Sequence, residues 1–160
     1  MPLTSSTSIM QQVLIGPIEP EVLFAALTDP ELTPFFFNLC SFQCDAVEPG
    51  APYTLVANDT VMAEGVVVEF QPPVNLLITF QQRWDDEIKD PPSRVRFFVQ
   101  ARPPLCELSV INDRLTEGSA LNSELNDSWV LFTSALKTLV EAGRALPLEP
   151  EEAEAEPVAT

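Results

Sequence analysis

Residues 65–80 read Gly-Val-Val-Val-Glu-Phe-Gln-Pro-Pro-Val-Asn-Leu-Leu-Ile-Thr-Phe, two apolar strands separated by Gln71-Pro72-Pro73. Proline cannot donate to a β-ladder, so the two runs are distinct strands. A second unit, amphipathic from Leu121 to about Ala145, closes the chain. There Leu125, Trp129, Phe132, Leu136, Leu139 and Val140 recur at steps of three and four, the apolar stripe of a helix. Each large apolar side chain contributes about 1.5–3 kcal/mol on full burial, enough for such a stripe to help decide the fold. Short strands followed by one long final helix predict an α+β fold, a curved antiparallel sheet of about six to seven strands wrapped around that helix. Such an arrangement can hold a pocket.

Between these anchors the pattern resolves further. Ser8–Ile15 alternates weakly as a first strand and stops at Gly16-Pro17. Pro20 suits the first position of a helix, Glu21 its first turn, and Val22, Leu23, Ala26 and Leu27 its apolar face. Asp29 as N-cap and Pro30 as first residue predict a second short helix running into Phe35-Phe36-Phe37. The period then becomes two, with strands predicted over Phe42–Val47, Tyr53–Ala57, Val61–Phe70, Val74–Gln82, Arg94–Gln100 and Leu105–Asn112. Asn58-Asp59 is the hairpin turn, since both residues tolerate positive φ. Residues 85–92 form a charged loop, and Gly143 and Pro147 end the final helix. The domain expected is 8–147, with a flexible N-terminus at 1–7 and a disordered acidic tail at 148–160.

Charge narrows the partners by exclusion. A formal net charge of -16 over 160 residues offers no basic patch for nucleic acid or for an anionic membrane surface. No run reaches the roughly 18 apolar residues of a membrane span. Met1–Ser8 carries no basic residue and no apolar core of a signal peptide, and three cysteines give an odd count, so a cytoplasmic, reduced protein is expected. Cys40 and Cys44 can approach on a helical turn, yet with His 0 a zinc site lacks partners, and no metal or cofactor is expected. The absence of histidine also removes Ser-His-Asp and Cys-His nucleophiles, and none of the five glycines sits in a phosphate-binding frame.

Four stretches, Pro20–Glu31, Gly65–Leu76, Pro92–Phe97 and Ser128–Glu141, come in an order and spacing that resembles the START-like (SRPBCC) superfamily. More narrowly the chain resembles its stand-alone group called activator of Hsp90 ATPase homologue 1-like. The likeness spans about Ser8 to Leu146 and implies a helix-grip (START/Bet v 1-like) fold with an internal, mainly apolar cavity. Members of the wider superfamily bind lipids, sterols, hormones or polyketides. Two departures stand out: Phe35-Phe36-Phe37 replaces the usual tryptophans after the opening helices, and Asn112 stands where relatives commonly carry histidine. The Asn- and Trp-rich motif of the chaperone activator's additional N-terminal domain is not found, which argues against chaperone activation.

The expected function is binding of a small hydrophobic molecule in the cavity. The alternatives are a protein-interaction or stress/co-chaperone-like adaptor role with a structural cavity, and a cofactor-free cyclase or isomerase using Glu64 with Tyr53; a monomer or homodimer is expected. Candidate cavity residues are Phe35, Phe36, Tyr53, Phe80, Phe97, Val110, Asn112, Trp129 and Phe132, for each of which plain core packing is the competing reading. An inward Asn112 amide needs a partner, because leaving it unpaired costs about 1–3 kcal/mol. Arg96 and Glu64 are expected on the outer face of the sheet.

Overall fold

The period-two segments become strands of one sheet and the final amphipathic segment becomes a helix laid across it. The computed structural model describes residues 6–147; the predicted acidic tail at 148–160 and residues 1–5 lie outside the described residues. Strand β1 (Ser6–Ile15) leads to helix α1 (Pro20–Ala26) and a 3₁₀ turn at Thr33–Phe35. Strands β2 (Ser41–Gln43), β3 (Pro52–Ala57), β4 (Thr60–Gln71), β5 (Asn75–Gln82), β6 (Ser93–Arg102) and β7 (Leu105–Thr116) follow, and helix α2 (Ala120–Ala142) closes the fold. The 7-stranded sheet has the order β1-β7-β6-β5-β4-β3-β2, antiparallel throughout. Among the described residues no helix is long and apolar enough to cross a membrane.

Most departures from the sequence expectation have a local cause. Pro20 does begin α1, but Leu23, Phe24 and Leu27 are its buried face, while Val22 is 58% exposed. The second helix shrinks to turns and the single 3₁₀ turn. Asp29 Oδ1 accepts the Glu31 N–H at 2.9 Å as predicted for a cap. Pro34 then lacks the N–H that would continue a helix, and Asn38 and Leu39 adopt left-handed φ of 56° and 68°. Strand β2 stops at Gln43 because its partner β3 begins at Pro52, which has no N–H to extend the pairing. Strand β7 runs on to Thr116 through a register shift against Thr7/Ile9, with Arg114 at φ 61°. Asn58 and Asp59 take φ of 52° and 62°, the hairpin turn expected of them. Helix α2 is capped by Ser119, whose hydroxyl accepts the Asn122 N–H at 3.0 Å. It ends at Gly143, left-handed at φ 71°, whose N–H bonds the Leu139 carbonyl at 3.0 Å.

The curvature of the sheet centres on Gly65. Here β4 separates from β5: the regular pairs Glu64↔Gln81 and Val67↔Ile78 flank a gap. In that gap the Thr79 carbonyl accepts the Tyr53 hydroxyl at 2.6 Å, and Thr79 Oγ1 accepts the Val66 N–H at 2.9 Å. A Cβ on Gly65 would collide with the Thr79 carbonyl oxygen itself, a backbone atom that cannot swing aside. Gly65→Ala therefore overfills the bend and should lower unfolding free energy by at least about 2 kcal/mol. Tyr53→Phe leaves the Thr79 carbonyl short of a partner and should cost about 1–3 kcal/mol. Urea unfolding of both variants checks this; unchanged midpoints would show that the bend does not depend on this contact.

Candidate functional site

Helix α2 turns Leu121, Leu125, Trp129, Phe132, Ala135 and Leu136 into the concave side of the sheet. Trp129 and Phe132 meet Phe36, Phe37 and Phe97 in an aromatic cluster. Phe37 stands edge-on to Phe132 with ring centroids 4.9 Å apart, and Trp129 lies 5.2 Å from Phe132 in the same manner. Such edge-to-face pairs add about 0.5–1.5 kcal/mol each beyond area burial.

One polar staple holds the cluster to the sheet. The Trp129 Nε1–H donates to Asn112 Oδ1 at 3.0 Å, and Asn112 Nδ2 donates to Ser93 Oγ at 3.0 Å and to the Arg94 carbonyl at 2.8 Å. Asn112 is fully buried, so its partners are protein groups, as a paired inward amide requires.

The helix leans to one side. It lies along β1 and also touches β7, while β3, β4 and β5 curve away from it. The wedge left open is a cavity of ≈ 440 Å³. Leu125, Trp129 and Phe132 of α2 form one wall, and Leu55, Met62, Ala63 and Phe80 from β3 to β5 form the other. Phe37, Asn38, Cys40 and Trp84 close the ends, and Glu124, Asp127 and Ser128 edge it from the helix. Trp84 donates Nε1–H to Glu124 Oε1 at 3.0 Å, bridging the β5–β6 connection to α2.

Of the residues singled out from sequence, Phe80, Trp129 and Phe132 line this cavity. Phe36, Phe97, Val110 and Asn112 are buried on the filled side, and Tyr53 is buried in a stack with Phe42 at 4.9 Å. Phe35 is 45% exposed. Phe36 and Phe37 are the buried members of the triplet, and Phe37 is the cavity aromatic that sequence reading passed over. Leu125 already lay on the inward stripe of the final helix. Trp84 carried a weaker signal, a large aromatic at the start of an otherwise charged loop.

The chemistry of the walls is spare. Burial pushes the Cys40 thiol up to about 11. Burial, with the Glu64 charge adding, also raises the Tyr53 phenol well above its usual range. Glu64 points outward, paired with Arg83 at 2.6 Å, while the Tyr53 hydroxyl is committed to Thr79. The acid–base pair imagined from sequence is therefore not assembled. Among the described residues no group of three or more His, Cys, Asp or Glu is placed to hold a metal ion.

Residues 17–141 match the family model described as Activator of Hsp90 ATPase homolog 1-like protein. A search of curated proteins gave no match. Among solved structures, protein MLL2253 from Mesorhizobium loti superposes with TM-score 0.72 at 18% identity, covering 86% of this chain and 99% of that one. CalU16 from Micromonospora echinospora is similar at TM-score 0.71 and 18% identity, over 90% of this chain and 71% of its own. The Aha1 dimer from Colwellia psychrerythraea gives TM-score 0.69 at 14% identity, over 87% and 99%. At these identities the likeness is one of fold, the helix-grip arrangement with seven antiparallel strands described above.

Two measurements test the site as built. Asn112→Leu strands the Trp129 indole N–H and the Ser93 hydroxyl, and should cost about 2–4 kcal/mol while altering the near-ultraviolet circular dichroism of Trp129. Full retention of both stability and spectrum would remove Asn112 as the staple. For Cys40, a raised thiol pKa means that the thiolate fraction grows with alkalinity. Its iodoacetamide labelling, mapped by mass spectrometry, should rise roughly tenfold per pH unit between about pH 8 and 10. A flat profile would contradict the buried thiol.

Proposed function

The chain belongs to the Activator of Hsp90 ATPase homolog 1-like family, and we propose that it binds a small apolar molecule between α2 and the β3–β5 side of its sheet. One observation carries this reading: a ≈ 440 Å³ hollow walled by Phe37, Leu55, Phe80, Leu125, Trp129 and Phe132 lies where close packing would otherwise be expected. Its size falls in the range of about 300–1,000 Å³ typical of small-molecule sites, and its lining is apolar with few polar groups, as such sites are. Catalysis is the weaker reading, since the titratable groups on the lining, Cys40, Glu124 and Asp127, include no histidine or tyrosine to relay a proton.

A second reading, a homodimer, draws on Met10, Leu14 and Phe98, which expose 53%, 47% and 39% of their surfaces on the outer sheet face. One structural relative is described as a dimer.

Ala63, on the inner face of β4 and 1% exposed, is the place to fill the hollow. The uncharged probe N-phenyl-1-naphthylamine should bind the wild-type protein and quench the tryptophans, both of which line the cavity. Ala63→Phe should weaken that binding at least about tenfold, about 1.4 kcal/mol, while circular dichroism shows an intact fold. Unaltered probe binding by a folded Ala63→Phe variant would sink the cavity reading.

A further inference from the structure

The lining of the hollow divides by exposure. Phe37, Leu55, Phe80, Leu125, Trp129 and Phe132 are buried, whereas Asn38, Glu124 and Asp127 are exposed and so mark the mouth. Glu124 and Asp127 stand three residues apart on α2, side by side on one helix face. Like charges at that spacing repel, and the favourable field of the helix N-terminus fades within the first turn, which both residues lie beyond. Among the described residues neither is in an ion pair.

Among the described residues no lysine or arginine lines the cavity. Arg83, Arg94, Arg96, Arg102 and Lys137 are each engaged elsewhere, with Glu64, Asp113, Glu69, Glu107 and Glu141. A carboxylate head group at this mouth would face two carboxylates and no counter-charge, within the field of a chain carrying -16. An ammonium head would meet the opposite. The Trp84 N–H occupies one oxygen of Glu124 and holds that carboxylate in place, leaving its other oxygen to accept a donor. The Trp84 indole at the same rim adds a face to which cations are attracted.

Resting on the cavity reading above, we infer that the hollow selects a cationic amphiphile, with its apolar body among the aromatic walls and its protonated amine at the Glu124–Asp127 mouth. The test is a matched series, decylamine, decanol and decanoate, each below its micelle concentration and followed by fluorescence of Trp84 and Trp129. Decylamine should bind at least about tenfold more tightly than decanoate, with decanol between them. The double variant Glu124→Gln/Asp127→Asn, altered only at exposed positions, should bring decylamine to the affinity that decanol shows for the same variant. Equal binding of amine and carboxylate would overturn the selectivity while leaving the cavity reading intact. So would a double variant that keeps the amine preference, since the attraction would then come from net charge alone. If none of the three binds the wild-type protein, the cavity reading fails first and takes the selectivity with it.

Discussion

The indole N–H of Trp129 on the Asn112 amide fixes where the final helix can sit, and the hollow is a consequence of that position. Other polar ties act on the same side of the molecule. The Lys137 ammonium donates to the Leu14 carbonyl at 2.6 Å, and Glu141 accepts the Gly16 N–H at 3.1 Å, so β1 and the end of α2 are joined through edge groups that would otherwise need water. Opposite them, among the described residues, α2 is joined to the β3–β5 side and its loop by a single hydrogen bond, that of Trp84 to Glu124. A helix tied along one flank and nearly free along the other cannot close evenly on a curved sheet.

Curvature supplies the second half of that geometry. The β3–β4 and β4–β5 pairings each contain a register shift, between Leu55/Val56 and between Val67/Glu69. Register irregularities bend strands and increase local twist. Gly65 lies between the two, and its missing Cβ lets the Thr79 carbonyl approach and be claimed by Tyr53. The sheet therefore turns away from α2 across the strands that wall the cavity. Apolar side chains from both sides meet on the β6–β7 flank, where the aromatic cluster fills the space, and fail to meet on the other.

How far this was legible in the sequence depends on the range of the interaction. The helix stripe, the Asn58-Asp59 turn and the alternation of β6 and β7 are set by neighbours within a few residues, and each appears where the pattern places it. The inward Asn112 amide also follows from alternation, although its partner on α2 does not. The Phe35–Phe37 triplet has no period of its own; it runs from a 3₁₀ turn into the left-handed Asn38 and Leu39, outside any regular element that would fix which rings face inward. Which flank the helix favours arises from contacts more than a hundred residues apart in part, such as Lys137 to Leu14, and no local pattern encodes it. Hence Trp129 and Phe132 could be assigned inward, but the choice of Phe37 over Phe35, and of Leu55 and Ala63 over Val110, could not.

The distribution of charge follows from the same division of the sheet into two faces. Arg94 and Arg96 alternate outward on β6, where Arg94 forms two hydrogen bonds with Asp113 and Arg96 joins Glu69 and Asn75 beside the ring of Phe98. The hydrogen bonds to Arg94 and Arg96 hold the Asp113 and Glu69 carboxyls below their usual range. Partly exposed pairs of this kind contribute little stability individually. Their larger effect is positional: strand alternation keeps Arg94 and Arg96 on the convex side, and among the described residues the buried positions of the strands include no lysine or arginine. The acidity of the cavity mouth is therefore not an isolated feature of α2. It is what remains when a chain with 8 basic and 24 acidic residues commits its sheet cations to the opposite surface.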